Sequence, residues 1–242
     1  MNDRVDLNCD MGESYGNYII GNDDEIMPYL TSCNVACGFH GGDPLHIYNT
    51  LVNAKKYELK IGAHPGYPDL NGFGRRALEM STEELKASVI YQISAVIGMA
   101  KSLDLTVSYI KPHGAMYNLM AKNEGVSAIV IQAVKEVDPA LSIMGLAGSD
   151  LADWVAAENM HFIPEAFADR RYSDDGTLIP RSHADAIIYD PGEASAQVLN
   201  IIRKSRVQTM NGDFIRLKAE SICVHGDNKH AVSILKAIKN VL

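Results

Sequence analysis

Short apolar runs alternate with segments of helical period along the whole chain, and this alternation limits the fold more than any other feature of the sequence. Each run leads into a turn that contains glycine or proline. Strands that alternate with helices predict βα units and a parallel sheet. In chain order the runs are VDLNCD, SCNVACGF, LKIGAH, LTVSYIKPH, LSIMGL, HFIPEAF, VQTM and SICVHG.

The clearest helix is predicted for residues 81–103, where Ser81 and Glu84 fit a capping box and apolar side chains recur every three or four residues. A second helix should begin at Asp43-Pro44, an N-cap followed by proline. Further helices are predicted at 23–31, 123–137, 149–159, 193–204 and 228–241. Two long connections, 65–80 and 167–182, lack a regular period, and loops of that length usually carry function or are disordered.

Seven or eight βα units in a chain of 242 residues fit a (β/α) barrel. An open doubly wound sheet would usually carry a glycine-rich phosphate turn after its first strand. Neither GxGxxG nor GxxxxGK[ST] occurs, so any ATP must be used without a P-loop. We therefore expect one (β/α) barrel domain over residues 1–242.

Charge and cysteine content narrow the class of protein. The net charge is -8 and the 22 basic residues are scattered, which argues against a nucleic-acid or anionic-membrane partner and for a small substrate. The first residues lack the layout of a signal peptide and no apolar run is long enough to span a membrane, so we expect a cytoplasmic protein. The 4 cysteines lie in apolar runs without a CxxC pair, which predicts buried thiols rather than disulfides or a zinc site.

The first run, VDLNCD, has a polar face. Because side chains alternate along a strand, Asp6, Asn8 and Asp10 share one side. A parallel strand that is buried on both faces should be apolar on both, and unpaired buried polar groups are costly. Either a satisfied hydrogen-bond network or a functional site explains this face.

Four further strand ends carry side chains that are useful in chemistry. Three of the 8 histidines are followed directly by glycine. The carboxyl ends of all strands in a barrel converge on one mouth, so these groups should meet in one pocket. They are Asn34 with His40, then His64, then Lys111 with His113, and finally His225 with Asp227.

These residue types suit proton transfer. Imidazole groups exchange protons near neutral pH, carboxylates serve as bases or metal ligands, and Lys111 can stabilise an oxyanion or a phosphoryl oxygen. A serine or cysteine nucleophile is poorly supported, because GxSxG is absent and Cys37 lies inside an apolar run. The pattern favours hydrolytic or acyl-transfer chemistry over hydride transfer, and packing, metal binding and proton transfer are all open to His113.

Arginines on the two long connections are a second group of candidate binding residues. Guanidinium groups can clamp a carboxylate or phosphate bidentately, and we expect this of Arg75, Arg170 and Arg181. Arg76 and Arg171 fit exposed surface pairs equally well.

Seven sequence blocks stand in order across nearly the whole chain. They are DLNCDMGE (6–13), NVACGFHGGDP (34–44), GAHPGYPD with GFGRR (62–76), KPHGAMYN (111–118), GLAGSD (145–150), FADRRY (167–172) and VHGD (224–227). Together they resemble the LamB/YcsF family, and several long motifs in one order are far more specific than any single motif. Cys9 stands where that family commonly has alanine, and SHADAII after Arg181 departs from its glycine-bearing pattern, which leaves the roles of His183 and Asp185 open.

The resemblance implies an α/β fold, an irregular seven-stranded (β/α) barrel that is TIM-like and of the glycoside hydrolase/deacetylase type. It also implies hydrolytic ring opening of 5-oxo-L-proline (pyroglutamate) to L-glutamate, with ATP as co-substrate and with 5-oxoprolinase subunits B and C as partners. Opening a stable five-membered lactam is unfavourable by itself, so coupling to ATP is expected. The missing P-loop is no objection if the partners share the nucleotide step.

The strand ends and the resemblance together predict a division of roles. Asp6 or Asp10 should orient or activate water. His64 and His113 should transfer protons, while Lys111 stabilises the developing negative charge. The predicted substrate-binding residues are Asn8, Glu13, Asn34, His40, Arg75, Arg170, Arg181, His225 and Asp227.

A divalent metal is an alternative to metal-free proton transfer. Related deacetylase-like barrels bind an ion through one Asp and two His, and Asp10, His64 and His113 can imitate that set. The alternative function is therefore a stand-alone, divalent-metal-dependent deacetylase or amidohydrolase of carbohydrate type, although Trp154 is the single tryptophan for sugar stacking. A third hypothesis is a non-enzymatic protein that binds a small lactam for a partner, and the clustered titratable groups disfavour it.

Overall fold

The alternating strands and helices form a closed barrel of parallel strands wrapped by helices. The structure is a computed structural model and describes residues 5–242. The strands are β1 (Asp6–Met11), β2 (Ser32–Ala36), β3 (Lys60–His64), β4 (Val107–Ile110), β5 (Ser142–Leu146), β6 (Phe162–Phe167), β7 (Arg206–Gln208), β8 (Phe214–Arg216) and β9 (Ser221–Cys223). The helices are α1 (Asp23–Ile26), α2 (Pro44–Lys56), α3 (Thr82–Lys101), α4 (Gly114–Met120), α5 (Glu124–Val137), α6 (Leu151–Ala157), α7 (Pro191–Lys204) and α8 (Ala231–Val241).

Seven of these strands make the barrel, in the order β1-β2-β3-β4-β5-β6-β9. The last strand, β9, pairs in parallel with both β6 and β1 and so closes the ring. The TIM-like, seven-stranded (β/α) barrel expected from the sequence is confirmed.

One predicted run lies outside the barrel. The VQTM segment contributes β7, which pairs antiparallel with β8 as a separate two-stranded sheet. The reason is the Asn211-Gly212 dipeptide between the two strands, a strong hairpin signal, with Gly212 at φ +94°. The interpretation of VQTM as a barrel strand is therefore wrong.

The predicted helices are present, with ends shifted by a few residues. In α3 the capping box is formed, because Ser81 Oγ accepts from the Glu84 N–H at 3.2 Å and Glu84 Oε2 accepts from the Ser81 N–H at 2.9 Å. The Asp43 side chain caps α2. The segment predicted at 23–31 divides into α1 and a 3-10 turn, Met27–Tyr29. Across residues 5–242, no helix has the length and apolar character needed to span a membrane.

Helix α4 has no counterpart among the predicted helices. It begins directly after His113 and is only 7 residues long, so its period is hidden in a segment that looks like the end of a strand. Gly114 starts it with φ +54°, and a Cβ at this position would lie 2.7 Å from the Gly74 carbonyl oxygen. The chain can thus turn sharply at the mouth of the barrel only with glycine here.

The hydrophobic core lies between the strands and the helices, whereas the barrel interior is polar. On β1, Leu7, Cys9 and Met11 belong to the apolar core, and the alternate residues Asn8 and Asp10 face the interior. The cysteines at 9, 33, 37 and 223 are buried and free, as the sequence predicts. Because side chains alternate along a strand, the residues that pack in the core and the residues that face the interior occupy opposite sides of β1.

Candidate active site

The carboxyl ends of the barrel strands open into a pocket of about 660 Å³. Strand ends form its floor and the two long connections form its rim. Parallel strands bring these side chains together because their carboxyl ends meet at one mouth. The predicted residues that line the pocket are Asp10, Glu13, His64, Arg75, Lys111, His113, Arg170, Arg181, His225 and Asp227.

A buried ion-pair network forms the floor. Lys111 directly follows β4, and its Nζ atom lies 2.9 Å from Asp10 Oδ1 and 2.8 Å from Glu165 Oε1. The same atom lies 3.3 Å from Asn8 Oδ1 and 3.3 Å from Cys223 Sγ. An ammonium group has three N–H donors, so these contacts occupy all of them. Lys111 therefore joins two carboxylates and has no free donor for the pocket.

Charge pairing outweighs burial in this network. Burial alone raises the pKa of Asp10, but the neighbouring His64 and Lys111 hold that pKa well below its usual range. Burial lowers the pKa of Lys111, whereas Asp10 and Glu165 raise it well above the usual value. Both groups are thus ionised at neutral pH.

Asn8 and Asn34 support Asp10 from inside the barrel. Asn34 Nδ2 donates to Asn8 Oδ1 and to Asp10 Oδ1, at 2.8 Å each. Asn8 Nδ2 donates to Glu165 Oε1 at 2.9 Å. Both amides are fully buried, so they hold the carboxylates in place and do not line the pocket.

Asp6 lies at the opposite end of the barrel from Asp10. The two residues are four positions apart on one strand, which corresponds to about 13 Å. The Asp6 carboxylate accepts hydrogen bonds from the hydroxyl groups of Thr31, Ser32 and Ser221 at the start of their strands. Of the two explanations that the sequence allowed for this polar face, a satisfied hydrogen-bond network is the one that applies to Asp6. Asp6 does not line the pocket.

Three histidines and a glutamate meet beside Asp10. Ring nitrogens of His40, His64 and His113 and an oxygen of Glu13 lie within 4.8 Å of one another. His113 Nδ1 is 2.9 Å from His64 Nε2 and 3.3 Å from Glu13 Oε1. His40 Nε2 lies 3.2 Å from the same Glu13 oxygen, and His64 Nε2 lies 3.4 Å from Asp10 Oδ2.

Backbone carbonyl groups fix the protons on two of these rings. His64 Nδ1 lies 2.6 Å from the Lys111 carbonyl oxygen, and His113 Nε2 lies 2.8 Å from the Phe73 carbonyl oxygen. A carbonyl oxygen only accepts hydrogen bonds, so these two nitrogens carry protons. The facing nitrogens, His64 Nε2 and His113 Nδ1, then each hold a lone pair when the rings are neutral. One shared proton or one cation removes the repulsion between them.

Burial keeps part of this cluster neutral. Burial lowers the pKa of His113 well below its usual value, and His40 and His64 lower it further. Burial also lowers the pKa of His40, although Glu13 partly offsets this effect. The His40 and His113 rings stack with their centroids 3.7 Å apart. His113 is thus a neutral ring that can accept a proton.

A histidine–aspartate pair stands on another wall of the pocket. His225 Nδ1 lies 2.8 Å from Asp169 Oδ1, and the His225 backbone N–H donates to Asp169 Oδ2 at 3.2 Å. Asn228 Nδ2 donates to the same Oδ2 atom at 3.1 Å. Burial raises the pKa of Asp169, but His225 and Asn228 lower it to a net value below the usual one. The carboxylate therefore fixes the orientation of the His225 ring.

Two arginines hold one carboxylate at the rim, and a third arginine lies near them. Arg75 Nη2 lies 2.6 Å from Asp227 Oδ2, and Arg181 Nη1 lies 3.1 Å from the same oxygen. Arg170 is buried and donates to the Ile179 carbonyl at 2.6 Å. Burial, followed by the charge of Arg181, lowers the pKa of Arg170 to about 10. Two guanidinium groups thus share the Asp227 carboxylate and the third has no carboxylate bonded to it among the described residues, which leaves the rim positively charged.

Four residues near these motifs do not line the pocket. Arg76 pairs with Asp69 and Arg171 pairs with Glu193, as expected for surface pairs. His183 and Asp185 lie on an exposed turn, where the Asp185 N–H contacts His183 Nδ1 at 3.2 Å.

Two residues of the site were not predicted from the sequence. Glu165 is the one carboxylate in the apolar run HFIPEAF, and that isolation is the signal that would have found it. Asp169 stands beside two arginines in FADRRY, where it looks like their surface counter-ion. Both are almost completely buried, and each pairs with a residue that was predicted.

Comparison with known proteins agrees with this architecture. The sequence model of the LamB/YcsF family matches residues 5–242. A protein from Acinetobacter baylyi that is named as the A subunit of 5-oxoprolinase is 46% identical over 99% of this chain and 94% of its own length. A protein of the same name from Pyrococcus horikoshii is 44% identical over 99% and 94%. The crystal structure of the lactam utilization protein from Thermus thermophilus is 37% identical, with a TM-score of 0.92 over 98% of this chain and 97% of that chain. The chain belongs to the LamB/YcsF family.

Proposed function

We propose that this chain is the A subunit of an ATP-dependent 5-oxoprolinase and takes part in the hydrolytic opening of 5-oxo-L-proline to L-glutamate. Relatives that bear the 5-oxoprolinase name, 44% to 46% identical over nearly the whole chain, support this activity. The observation that carries the proposal is one pocket that combines a proton-transfer cluster with a positively charged rim.

The rim suits the carboxylate of the substrate. 5-Oxoproline is a small anion with one carboxylate and one lactam, and the pocket volume is within the usual range for small-molecule sites. Arg75 and Arg181 already hold the Asp227 carboxylate, so their guanidinium groups have the orientation that carboxylate binding needs. Arg170 adds a buried positive charge nearby. The substrate carboxylate would share these donors with Asp227.

The His64–His113 pair suits the removal of a proton from water. Their facing nitrogens accept one proton between them, and burial, which lowers the pKa of His113, keeps its ring neutral before the reaction. Asp10 and Glu13 lie 3.4 Å and 3.3 Å from the ring nitrogens and stabilise the positive charge that forms. General base catalysis of this kind contributes about 10²- to 10⁴-fold.

Lys111 takes a different role from the one expected. With its donors occupied by Asp10, Glu165 and their neighbours, it acts on the substrate only through Asp10. We propose that Lys111 keeps Asp10 ionised and correctly placed next to His64. Asn8 and Asn34 share this positioning role.

The cluster also fits a divalent cation. His64 and His113 turn lone pairs towards the same point, and Glu13 adds a carboxylate oxygen, which is a donor set that zinc and manganese accept. The carbonyl contacts on the far nitrogens of both rings are the outer contacts that orient metal-bound imidazoles. A divalent cation bound here would polarise the lactam carbonyl or activate water. Glu13 and His40 replace Asp10 in this set, because Asp10 already pairs with Lys111.

ATP and partner subunits B and C complete the proposal. The relatives are named as one subunit of an enzyme, which implies that further subunits exist. This chain contains no P-loop motif, so we assign a share of the nucleotide step to the partners. The four free, buried thiols suit a reducing compartment, which supports the cytoplasm as the site of action.

Reconstitution tests this function. The purified chain is mixed with candidate B and C subunits, ATP and 5-oxoproline, and glutamate is followed while each component is omitted in turn. Glutamate should form only in the complete mixture. A complete, folded complex that forms no glutamate would refute the proposal.

The alternative of a metal-dependent deacetylase or amidohydrolase rests on the histidine and glutamate donors. It predicts that the chain alone releases acetate from N-acetylated sugars, that chelation abolishes this release and that ATP has no effect. Glutamate formation that requires ATP separates the two functions.

A further inference from the structure

The His225–Asp169 pair has a geometry that the substrate-binding role predicted for His225 does not require. Asp169 is 1% exposed and uses both carboxylate oxygens for orienting contacts, one to the His225 ring and one to the His225 backbone and Asn228. Phe167 stacks on the ring with a centroid distance of 5.2 Å and an interplanar angle of 13°. The ring is thus fixed from two directions.

The exposed nitrogen of this ring is Nε2. Because Nδ1 faces a carboxylate, it carries a proton and donates a hydrogen bond to Asp169. Only Nε2 is then available to exchange a proton with a molecule in the pocket. Within residues 5–242, Nε2 has no hydrogen-bond partner, and His225 lines the pocket. A carboxylate behind one imidazole nitrogen and a free nitrogen in front is the arrangement that makes histidine an efficient proton carrier.

His225 and the His64–His113 pair stand on either side of Asp10. Asp10 Oδ2 lies 3.4 Å from His64 Nε2, and ligand atoms of Asp10, Cys223 and His225 lie within 4.8 Å of one another. The second group does not suit a cation, because Lys111 Nζ already contacts both Asp10 and Cys223. The pocket therefore offers two separate proton-transfer groups, and hydrolysis of an amide involves two proton transfers, one from water and one to the leaving nitrogen.

We propose that His225, oriented by Asp169, is the general acid that protonates the ring nitrogen of the lactam as it leaves. This inference rests on the proposed function. Water adds to the carbonyl carbon and gives its proton to the His64–His113 pair. In this step His225 is an imidazolium, with one proton on Nδ1 held by Asp169 and one on Nε2. The C–N bond then breaks with its electron pair on nitrogen, and the Nε2 proton of His225 moves to that nitrogen to give the amine of glutamate. The His64–His113 pair then releases its proton to solvent and His225 regains one, so both return to their starting states. The ring opening sums to lactam plus water giving amino acid, and the separate conversion of ATP and water to ADP and phosphate by the complex supplies the free energy.

The charged groups that face His225 suit this role. The carboxylates of Asp169, Asp10 and Asp227 lie around it, and Arg75 and Arg181 pair with Asp227. The cation of Lys111 also lies beside it, where it contacts Asp10 and Cys223. An amine anion is a very poor leaving group, so cleavage depends on the acid more strongly than water attack does. Loss of His225 should therefore reduce turnover and leave substrate binding intact.

The test uses the reconstituted complex with four variants of this chain. His225→Gln and Asp169→Asn should lower kcat by about 10²- to 10⁴-fold, with KM for 5-oxoproline within about threefold of the parent. His46→Gln is the matched control, because His46 forms the same kind of pair with Asp43 at 2.8 Å on an outer helix, and kcat should stay within about twofold. Added imidazole should restore part of the activity of His225→Ala, because the missing ring borders an open pocket.

Each outcome decides the proposal. A parent complex without activity refutes the proposed function itself, whereas an active parent with unchanged His225→Gln kcat refutes only this inference. A loss confined to KM would assign His225 to substrate binding and overturn the acid role. If His225→Gln does not fold, as judged by circular dichroism, Asp169→Asn and the imidazole rescue of His225→Ala give the answer, and the absence of both effects contradicts the proposal.

Discussion

His113 Nδ1 faces His64 Nε2 at 2.9 Å, and in each ring the N–H of the other nitrogen donates a hydrogen bond to a backbone carbonyl oxygen. This relationship leaves two lone pairs directed at one point unless a proton or a cation lies between the rings. The two histidines therefore act as one group with one positive charge to gain or lose. The predictions on catalysis begin from this pair.

Replacement of His113 by Gln should lower the rate of glutamate formation by about 10²- to 10⁴-fold, because the general base loses its accepting nitrogen. Steady-state kinetics of the reconstituted complex measure this loss. His161→Gln is the control, since His161 is exposed and lies at the amino-terminal end of β6, where its Nδ1 contacts only Ser142 Oγ at 3.2 Å. An unchanged rate in His113→Gln would remove this residue from the mechanism.

Replacement of Arg181 by Gln should weaken substrate binding more than it affects the chemical step. A hydrogen bond to a charged group contributes about 1.5 to 3 kcal/mol, so KM for 5-oxoproline should rise about tenfold to a hundredfold while kcat changes little. Arg171→Gln is the matched control, because Arg171 pairs with Glu193 at the surface. Equal KM values for the two variants would contradict the carboxylate clamp.

Replacement of Lys111 by Met should destabilise the fold by about 3 to 5 kcal/mol, because Asp10 and Glu165 are then buried without their cation. Adding Glu165→Gln to that variant should restore about 1 kcal/mol or more, since one of the two unpaired charges is removed. Urea unfolding of the single and double variants measures both effects.

The surface pair Lys135–Glu158 supplies the control for this cycle. Lys135→Met should change the free energy of unfolding by less than about 1 kcal/mol. If the destabilisation by Lys111→Met and by Glu165→Gln simply adds up in the double variant, the two side chains do not interact as the structure indicates.

Chelation should remove a bound cation if the histidine cluster holds one. In that case protein purified without chelators should contain about one divalent ion per chain, and this ion should be lost in His64→Gln and His113→Gln but not in Asp10→Asn. Elemental analysis of the three variants is the measurement. A parent chain without metal that keeps full activity in the complex would restrict the cluster to proton transfer.

Local pattern predicted the parts of the site that lie on strands. Alternation placed Asp10 on the interior face of β1, and the convergence of strand ends brought His64, Lys111 and His113 into one pocket. Asp6 shares the same parity, but parity does not say how far along the barrel axis a residue lies. The spacing of four residues from Asp10 already places Asp6 about 13 Å away, and the structure adds the three hydroxyl groups that satisfy its carboxylate.

The local sequence pattern could not predict contacts that cross the barrel or that come from irregular loops. Lys111 follows β4 and Glu165 lies on β6, and these strands are not neighbours, so only closure of the barrel brings the two charges together. The proton on His113 Nε2 is fixed by the Phe73 carbonyl in a connection without regular period. The tautomer of His113 thus depends on the path of an irregular loop, which the periodicity of the sequence does not predict.

Asp23 gives the chain a pH-dependent stability. Burial raises its pKa from the ordinary 3.8 to about 6, although the Gly12 N–H donates to its carboxylate at 2.7 Å and lowers it. The folded chain then holds this proton more tightly than the unfolded chain. The stabilisation is complete below about pH 4 and is lost as the pH rises through about 6.

Replacement of Asp23 by Asn should remove this dependence, because the amide oxygen still accepts from Gly12 and carries no charge. The free energy of unfolding of Asp23→Asn relative to the parent should rise by about 2 to 3 kcal/mol between pH 4 and pH 7. Urea unfolding of both chains at several pH values measures the difference. A difference that stays constant over this range would show that Asp23 ionises equally easily in the folded and unfolded chains. That result would contradict the effect of burial on Asp23.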